Sequence, residues 1–215
     1  MGAIKLKHAS GNSTILNSPA ANPSADVTLK LPSTTGSAGQ VLQVASANHS
    51  ATNAELEFAA PSGGGITVAA QFRLTSALSV GASYTTLSAN WANVGFGVGS
   101  FSNPSSGVFS FPSTGIYSVR FSGYFEDSGS TPFGVLRIQK TSDNNTYSAI
   151  AAGLNSNGDV GTYDYCGITV ESFVDVTSTT NDKVYFEAYN QNTATLDGNA
   201  NQNRTYVTFI RLGDT

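Results

Sequence analysis

Residues 107 to 125, GVFSFPSTGIYSVRFSGYF, restrict this chain more than any other stretch. Phe109 and Phe111 stand two apart. Pro112 to Gly115 interrupt the pattern, and Tyr117, Val119, Phe121, Gly123 and Phe125 then resume it at a strict period of two. Successive side chains of a strand point to opposite sides, so this spacing commits the segment to strands with one heavy face. The spacing predicts a hairpin, with Pro112 and Gly115 shaping its turn and the odd-numbered aromatics on one side.

The same alphabet continues along the chain. VAAQFRL, YTTLSANW, FGVLRIQK, YSAIAAG, YCGITVESFVDV, DKVYFEAYN and RTYVTFIRL all read as strands, divided by turn signals such as SDNN, NSNGD and TSTTND. No window holds a helical period with caps. Turn signals about every 8 to 12 residues predict an all-β antiparallel sandwich or barrel. Charged residues make up only 11% of the chain, against roughly 25% in an ordinary soluble domain, so Ser, Thr, Asn, Gln and Gly must hydrate the surface.

Composition divides the chain. Residues 1–60 hold short apolar stripes, Ile4 and Leu6, then Val27, Leu29 and Leu31, each too small to offset the chain entropy of its segment. Such a segment is ordered by lending its stripes to neighbours, and is expected to be an attachment or trimerisation module. PSGGG predicts a flexible linker over 61–66, and 67–215 form the main domain. Within that domain some strands are apolar on both sides. Tyr206, Ile210 and Leu212 oppose Val207 and Phe209, and Val184 and Phe186 oppose Tyr185 and Tyr189. A sandwich strand needs one apolar face, so a second implies cover from another protomer.

Chemistry is sparse. The histidines are His8 and His49, both in the polar N-terminal part, so no Ser/His or Cys/His pair can form in the main domain. Cys166, alone, excludes an intrachain disulfide and reads as a small buried side chain. Glu126 with Asp127, and Asp159 with Asp164, are the carboxylates to weigh for glycoside cleavage, but nothing sets a raised-pKa acid beside a base. No catalytic, cofactor-binding or metal residue is assigned. Asn155, Asn157 and Asp159, and Asp197-Gly198-Asn199, are oxygen-rich enough to suit calcium, yet are first of all turns. GFGVGS at 95–100 lacks the helix and lysine of a phosphate loop. Net charge is −4 with scattered Lys and Arg, which argues against nucleic acid. No apolar run is long enough for membrane insertion, and the start lacks a secretory signal, so synthesis in a cytoplasm is expected. Trp91, Tyr124, Tyr163 and Tyr165 near strand ends could stack on sugar rings. The polar loops at 126–132, 155–164 and 190–203 are where a recognition surface is expected.

Gly107, Phe109, Pro112, Gly115, Tyr117 and Phe121 resemble the signature G-x-F-x-x-P-x-x-G-x-Y-x-F-x-F of the globular head of complement component one-q and the tumour-necrosis-factor-like jelly rolls. Val119 stands where an aromatic is usual. Phe72 sits where that family's first strand begins, and Phe209 lies in YVTFIRLG, similar to its closing strand. Thr28, Leu29, Leu31, Pro32, Gly36, Gly39, Val41 and Leu42 resemble a separate pattern, T-L-x-L-P…G…G-x-V-L, found in tailed-bacteriophage fibres.

These resemblances imply an intertwined N-terminal β module and a C-terminal jelly-roll head, both favouring threefold assembly. The expected protein is a homotrimeric phage virion component, a fibre, spike tip or capsid decoration protein. It would be assembled in the infected cytoplasm and joined to other virion proteins through residues 1–60. Its head would stabilise the particle or meet a host glycan or protein. The contrasting readings are a spike hydrolase that degrades polysaccharide and a secreted recognition head.

Overall fold

The computed structural model describes residues 3–7, 13–17, 27–50, 53–60, 65–127, 133–156 and 164–215. The described residues are all-β, without a helix. The chain divides into two compact units, Met1–Gly64 and Gly65–Thr215. Most of the expected linker lies outside the described residues.

In the first unit β1 (Ala3–Lys7) pairs with β2 (Ser13–Asn17), antiparallel. A second sheet holds β3 (Thr28–Lys30), β4 (Val41–His49) and β5 (Asn53–Ala59). β5 is central, antiparallel to β4 and parallel to β3. The short stripes mark β1 and β3. Along β5 Ala54, Leu56 and Phe58 alternate with Glu55 and Glu57, β2 has no such simple alternation, and the pairing of the strands emerges only in the structure.

The second unit is a two-sheet sandwich built from β6 (Ala69–Leu74), β7 (Ser76–Val80), β8 (Thr85–Thr86), β9 (Trp91–Val98), β10 (Phe109–Ser110) and β11 (Gly115–Asp127). β12 (Phe133–Thr141), β13 (Ser148–Ser156), β14 (Asp164–Val176), β15 (Lys183–Asn190), β16 (Ala194–Asn199) and β17 (Tyr206–Gly213) complete it. In the larger sheet β14 runs along one edge of β11, while β17 and β16 share its other edge. β6 and then β9 continue beyond β17, and β7 flanks β16. The smaller sheet runs β15, β12, β13, with β10 and β8 on the free edge of β15. Every strand pairing described in the second unit is antiparallel.

The expected hairpin at 107–125 is corrected here. β10 pairs with β15 and β11 pairs with β14, β16 and β17, so Pro112 to Gly115 carry the chain from one sheet to the other. Period two specifies which face is heavy and leaves the partner strand unspecified. Because β10 and β11 line the same core from opposite sheets, the odd-numbered aromatics still converge.

Phe72, Tyr117, Phe121 and Phe209 from the larger sheet meet Phe109, Leu136, Ile138 and Phe186 from the smaller, all fully buried. Phe109 and Phe209 have ring centroids 5.2 Å apart, and Phe121 and Phe186 5.0 Å, within the range of favourable aromatic pairs. Burying each such side chain contributes about 1.5–3 kcal/mol.

Candidate functional site

The motif residues lie in the core or hold its corner. Phe109, Tyr117, Phe121 and Phe209 are fully buried, and Val119, the departure from the family signature, is buried beside them. The Tyr117 hydroxyl donates to the Ser113 carbonyl at 3.0 Å, which ties the crossing to β11. Gly107 and Gly115 have φ of 78° and 135°, and a Cβ at either would lie on a backbone carbonyl oxygen, that of Leu87 or of Gly213. Pro112 is exposed on the crossing. This constellation is architectural, and recognition must be sought on outward surfaces.

The candidate aromatics separate. Trp91 packs on Phe109 and Phe186, and its indole N–H donates to the Leu87 carbonyl at 2.8 Å, so it belongs to the core margin. Tyr124 and Tyr165 lie together on the outward face of β11 and β14, with ring centroids 6.3 Å apart. Tyr163, with Asn157 and Asp159, lies outside the described residues, as do the centres of the expected loops at 126–132 and 155–164. His8 also lies outside them, and His49 pairs with Ala54 at the end of β4.

Asp197-Gly198-Asn199 is corrected from a turn to the bulged end of β16. Gly198 is required there because a Cβ would collide with the Ser76 backbone. Asp197 is paired with Arg204 at 2.5 Å, which raises the Arg204 pKa, and Asn199 Oδ1 accepts from the amides of Asn201 and Gln202. Asn155 sits in β13 and donates to the Gly167 carbonyl. These oxygens are committed to the protein, and the described residues hold no cluster of three metal-ligating side chains. Glu126 and Asp127 stand opposite Tyr165 and Asp164 at the far end of β11. Cys166 is buried opposite Phe125, and burial pushes its thiol pKa up.

Two outward faces remain. On the larger sheet, Ser118 lies between Phe173 and Ile210, Arg120 between Glu171 and Thr208, and Ser122 between Thr169 and Tyr206. Phe173 is 69% exposed and Tyr165 60%, amid small polar neighbours. A shallow hollow of about 260 Å³ opens there between Ser122, Tyr124, Thr169, Arg204 and Tyr206. On the smaller sheet, β12 and β15 carry Arg137 opposite Glu187 and Gln139 opposite Tyr185. The second apolar side of β15 and β17 is visible in the sequence. Tyr84 and Phe133, which reach the smaller-sheet face from other elements, carry no such signal.

No family model matches the sequence. No curated protein sequence matches it either. Among solved structures the chain is similar to Eiger TNF from S. frugiperda, with TM-score 0.52 and 16% identity, covering 70% of this chain and 96% of that one. It is also similar to murine APRIL at pH 5.0, with TM-score 0.49 and 15% identity over 67% of this chain and 98% of that one. The likeness to Eiger TNF, with the strand order described above, gives the second unit a TNF-like jelly-roll fold.

Proposed function

We propose that this chain is a homotrimeric structural protein of a bacteriophage virion, a fibre or spike-type appendage or a capsid decoration protein, with no catalytic role. The observation that carries the assembly is the outward face of the larger sheet. Phe173 and Leu212 are exposed there beside Ile210, and protomer packing through this face would remove them from water. The N-terminal unit supports the same reading, because Val27, Leu29, Leu31, Val41, Leu42 and Val44 are all exposed. The phage assignment rests on the resemblance of Thr28 to Leu42 to fibre segments. The likeness to Eiger TNF bears on the fold alone.

In this reading residues 1–60 join the trimer to other virion proteins. The head is left exposed to stabilise the particle or to meet a host glycan or protein, and assembly takes place in the infected cytoplasm. Light scattering is expected to give three times the 22.2 kDa chain mass, and Phe173→Ser to lower it. A stable monomer overturns the assembly. Antibody labelling of intact particles tests the virion assignment, and loss of viscosity of a host polysaccharide treated with the pure protein would restore the hydrolase.

A further inference from the structure

The outward face of the smaller sheet carries an arrangement that neither the core nor the proposed trimer face uses. Phe133 and Tyr189 have ring centroids 5.6 Å apart, and Tyr84 stands 5.3 Å from Tyr189. At the other end Tyr147 and Tyr185 are 4.7 Å apart. Between these aromatic groups the Arg137 guanidinium lies 3.6 Å over the Tyr84 ring and donates to Glu187 Oε2 at 2.9 Å. Gln139 Nε2 donates to the same oxygen at 2.8 Å, and the Tyr185 hydroxyl reaches Oε1 at 3.4 Å. Arg137 Nε has no hydrogen-bond partner among the described residues.

Three features give this face its chemistry. It gathers four of the nine tyrosines of a chain whose surface is otherwise mainly Ser, Thr, Asn and Gly. Glu187 is only 7% exposed although its strand position points outward, and a desolvated ion pair is commonly no more stabilising than an apolar pair of the same size. The positive Arg137 and the negative Glu187 cancel. A polyanion would need net positive charge, and a hydrophobic protein anchor would meet a charged pair at the centre of its footprint. A neutral pyranose chain suits both parts of the face. Its C–H faces stack on tyrosine rings, and its hydroxyls accept from the part-exposed Arg137 guanidinium, which buried Glu187 orients.

We infer that the outward face of β12 and β15, centred on Tyr84, Arg137 and Glu187, binds a neutral saccharide chain. This deepens the recognition role proposed for the head and rests on that reading. The site is the face of a sheet and not one of the loops at 126–132, 155–164 and 190–203 where the sequence placed recognition.

The test is calorimetric titration of the full chain with maltohexaose, cellohexaose and mannohexaose as neutral probes and hexagalacturonate as an acidic one. At least one neutral hexasaccharide is expected to bind. Tyr84→Ala should weaken it about tenfold, the loss of roughly one stacking ring, and Phe173→Ser should leave it unchanged. Tyr84 is 43% exposed, so its variant should keep the parent melting temperature, and Arg137→Lys serves as a second variant that keeps the charge and loses the planar donors. The proposal is overturned by binding of the acidic probe alone, by the absence of neutral binding at millimolar concentration, or by binding indifferent to both variants. A change of particle mass in Tyr84→Ala also overturns it, since another copy would then cover the face. If the three-chain mass persists without saccharide binding, the site fails and the assembly stands. If the protein is a monomer and still binds, the assembly fails and the site stands.

Discussion

The two units spend similar apolar residues in opposite ways. In the second, Phe72, Phe109, Phe121, Phe186 and Phe209 close on one another between two sheets until none is exposed. In the first, β3, β4 and β5 form one sheet on which only a thin cover is described, with Gly36 close against the Phe58 ring, and Leu29 is 60% exposed. Alternation makes a strand in both. Only a facing layer makes a core, so the head can be stable by itself while the N-terminal sheet needs cover supplied from elsewhere.

The largest test of this contrast is Phe121→Ser. The ring is fully buried against Phe186, and its loss leaves a cavity and an unpartnered hydroxyl, so the head should lose about 3–5 kcal/mol of stability. Chemical denaturation followed by near-ultraviolet circular dichroism measures it. Melting like the parent would place Phe121 outside the core.

Asp182 joins the turn after β14 to the end of β12. It is 1% exposed, accepts from the Thr177 and Ser178 amides at 2.9 Å each, and pairs with Lys140 at 3.0 Å. Burial alone would push its carboxyl up. The Lys140 hydrogen bond, the two amides and the lysine charge outweigh burial and hold it below the usual carboxylate range. A carboxyl lowered on folding stabilises the protein above its unfolded pKa, and that contribution fades as pH falls through the folded value. Asp182→Asn should therefore cost about 1.5–3 kcal/mol at neutral pH. The gap from the parent should narrow only below pH 3.8, the ordinary aspartate value. A gap that does not change with pH would remove the charge from the explanation.

Gly115→Ala comes next. At φ 135° a side chain is strained, and its Cβ would press on the Gly213 carbonyl and the Arg211 guanidinium. Backbone strain of this kind costs about 1–3 kcal/mol, read as a lower denaturation midpoint. An unchanged midpoint would mean that the crossing between sheets can rearrange freely.

Much of the head was legible because burial on one face leaves a period-two signal. Phe109, Tyr117, Phe121 and Phe209 announce the core, and Gly107 and Gly115 mark positions that exclude a Cβ. Pairing was not legible. Nothing local tells Phe109 that its neighbour is Val184 and not β11, because that choice is made by contacts far apart in sequence. The saccharide face was hidden for the same reason. Tyr84 beside β8, Phe133 and Arg137 on β12, and Glu187 on β15 become one surface only when the three strands lie side by side.

The smallest effect in an isolated chain, and the most informative about assembly, belongs to Leu29→Ser. Leu29 lies in β3 and shares an odd-numbered stripe with Val27 and Leu31, all three exposed. An exposed side chain with nothing packed on it changes stability by no more than about 0.5 kcal/mol when replaced, and the hydroxyl meets water without penalty. A leucine covered by other copies would lose its transfer free energy, about 1.5–3 kcal/mol for full burial, once in each protomer. The two cases separate by concentration, because melting of an assembled species rises with protein concentration and melting of a free chain does not. Leu29→Ser is therefore expected to lower the melting temperature most where the parent's own melting depends on concentration. A small shift, equal at every concentration, would leave the N-terminal sheet bare in solution and remove it from the assembly.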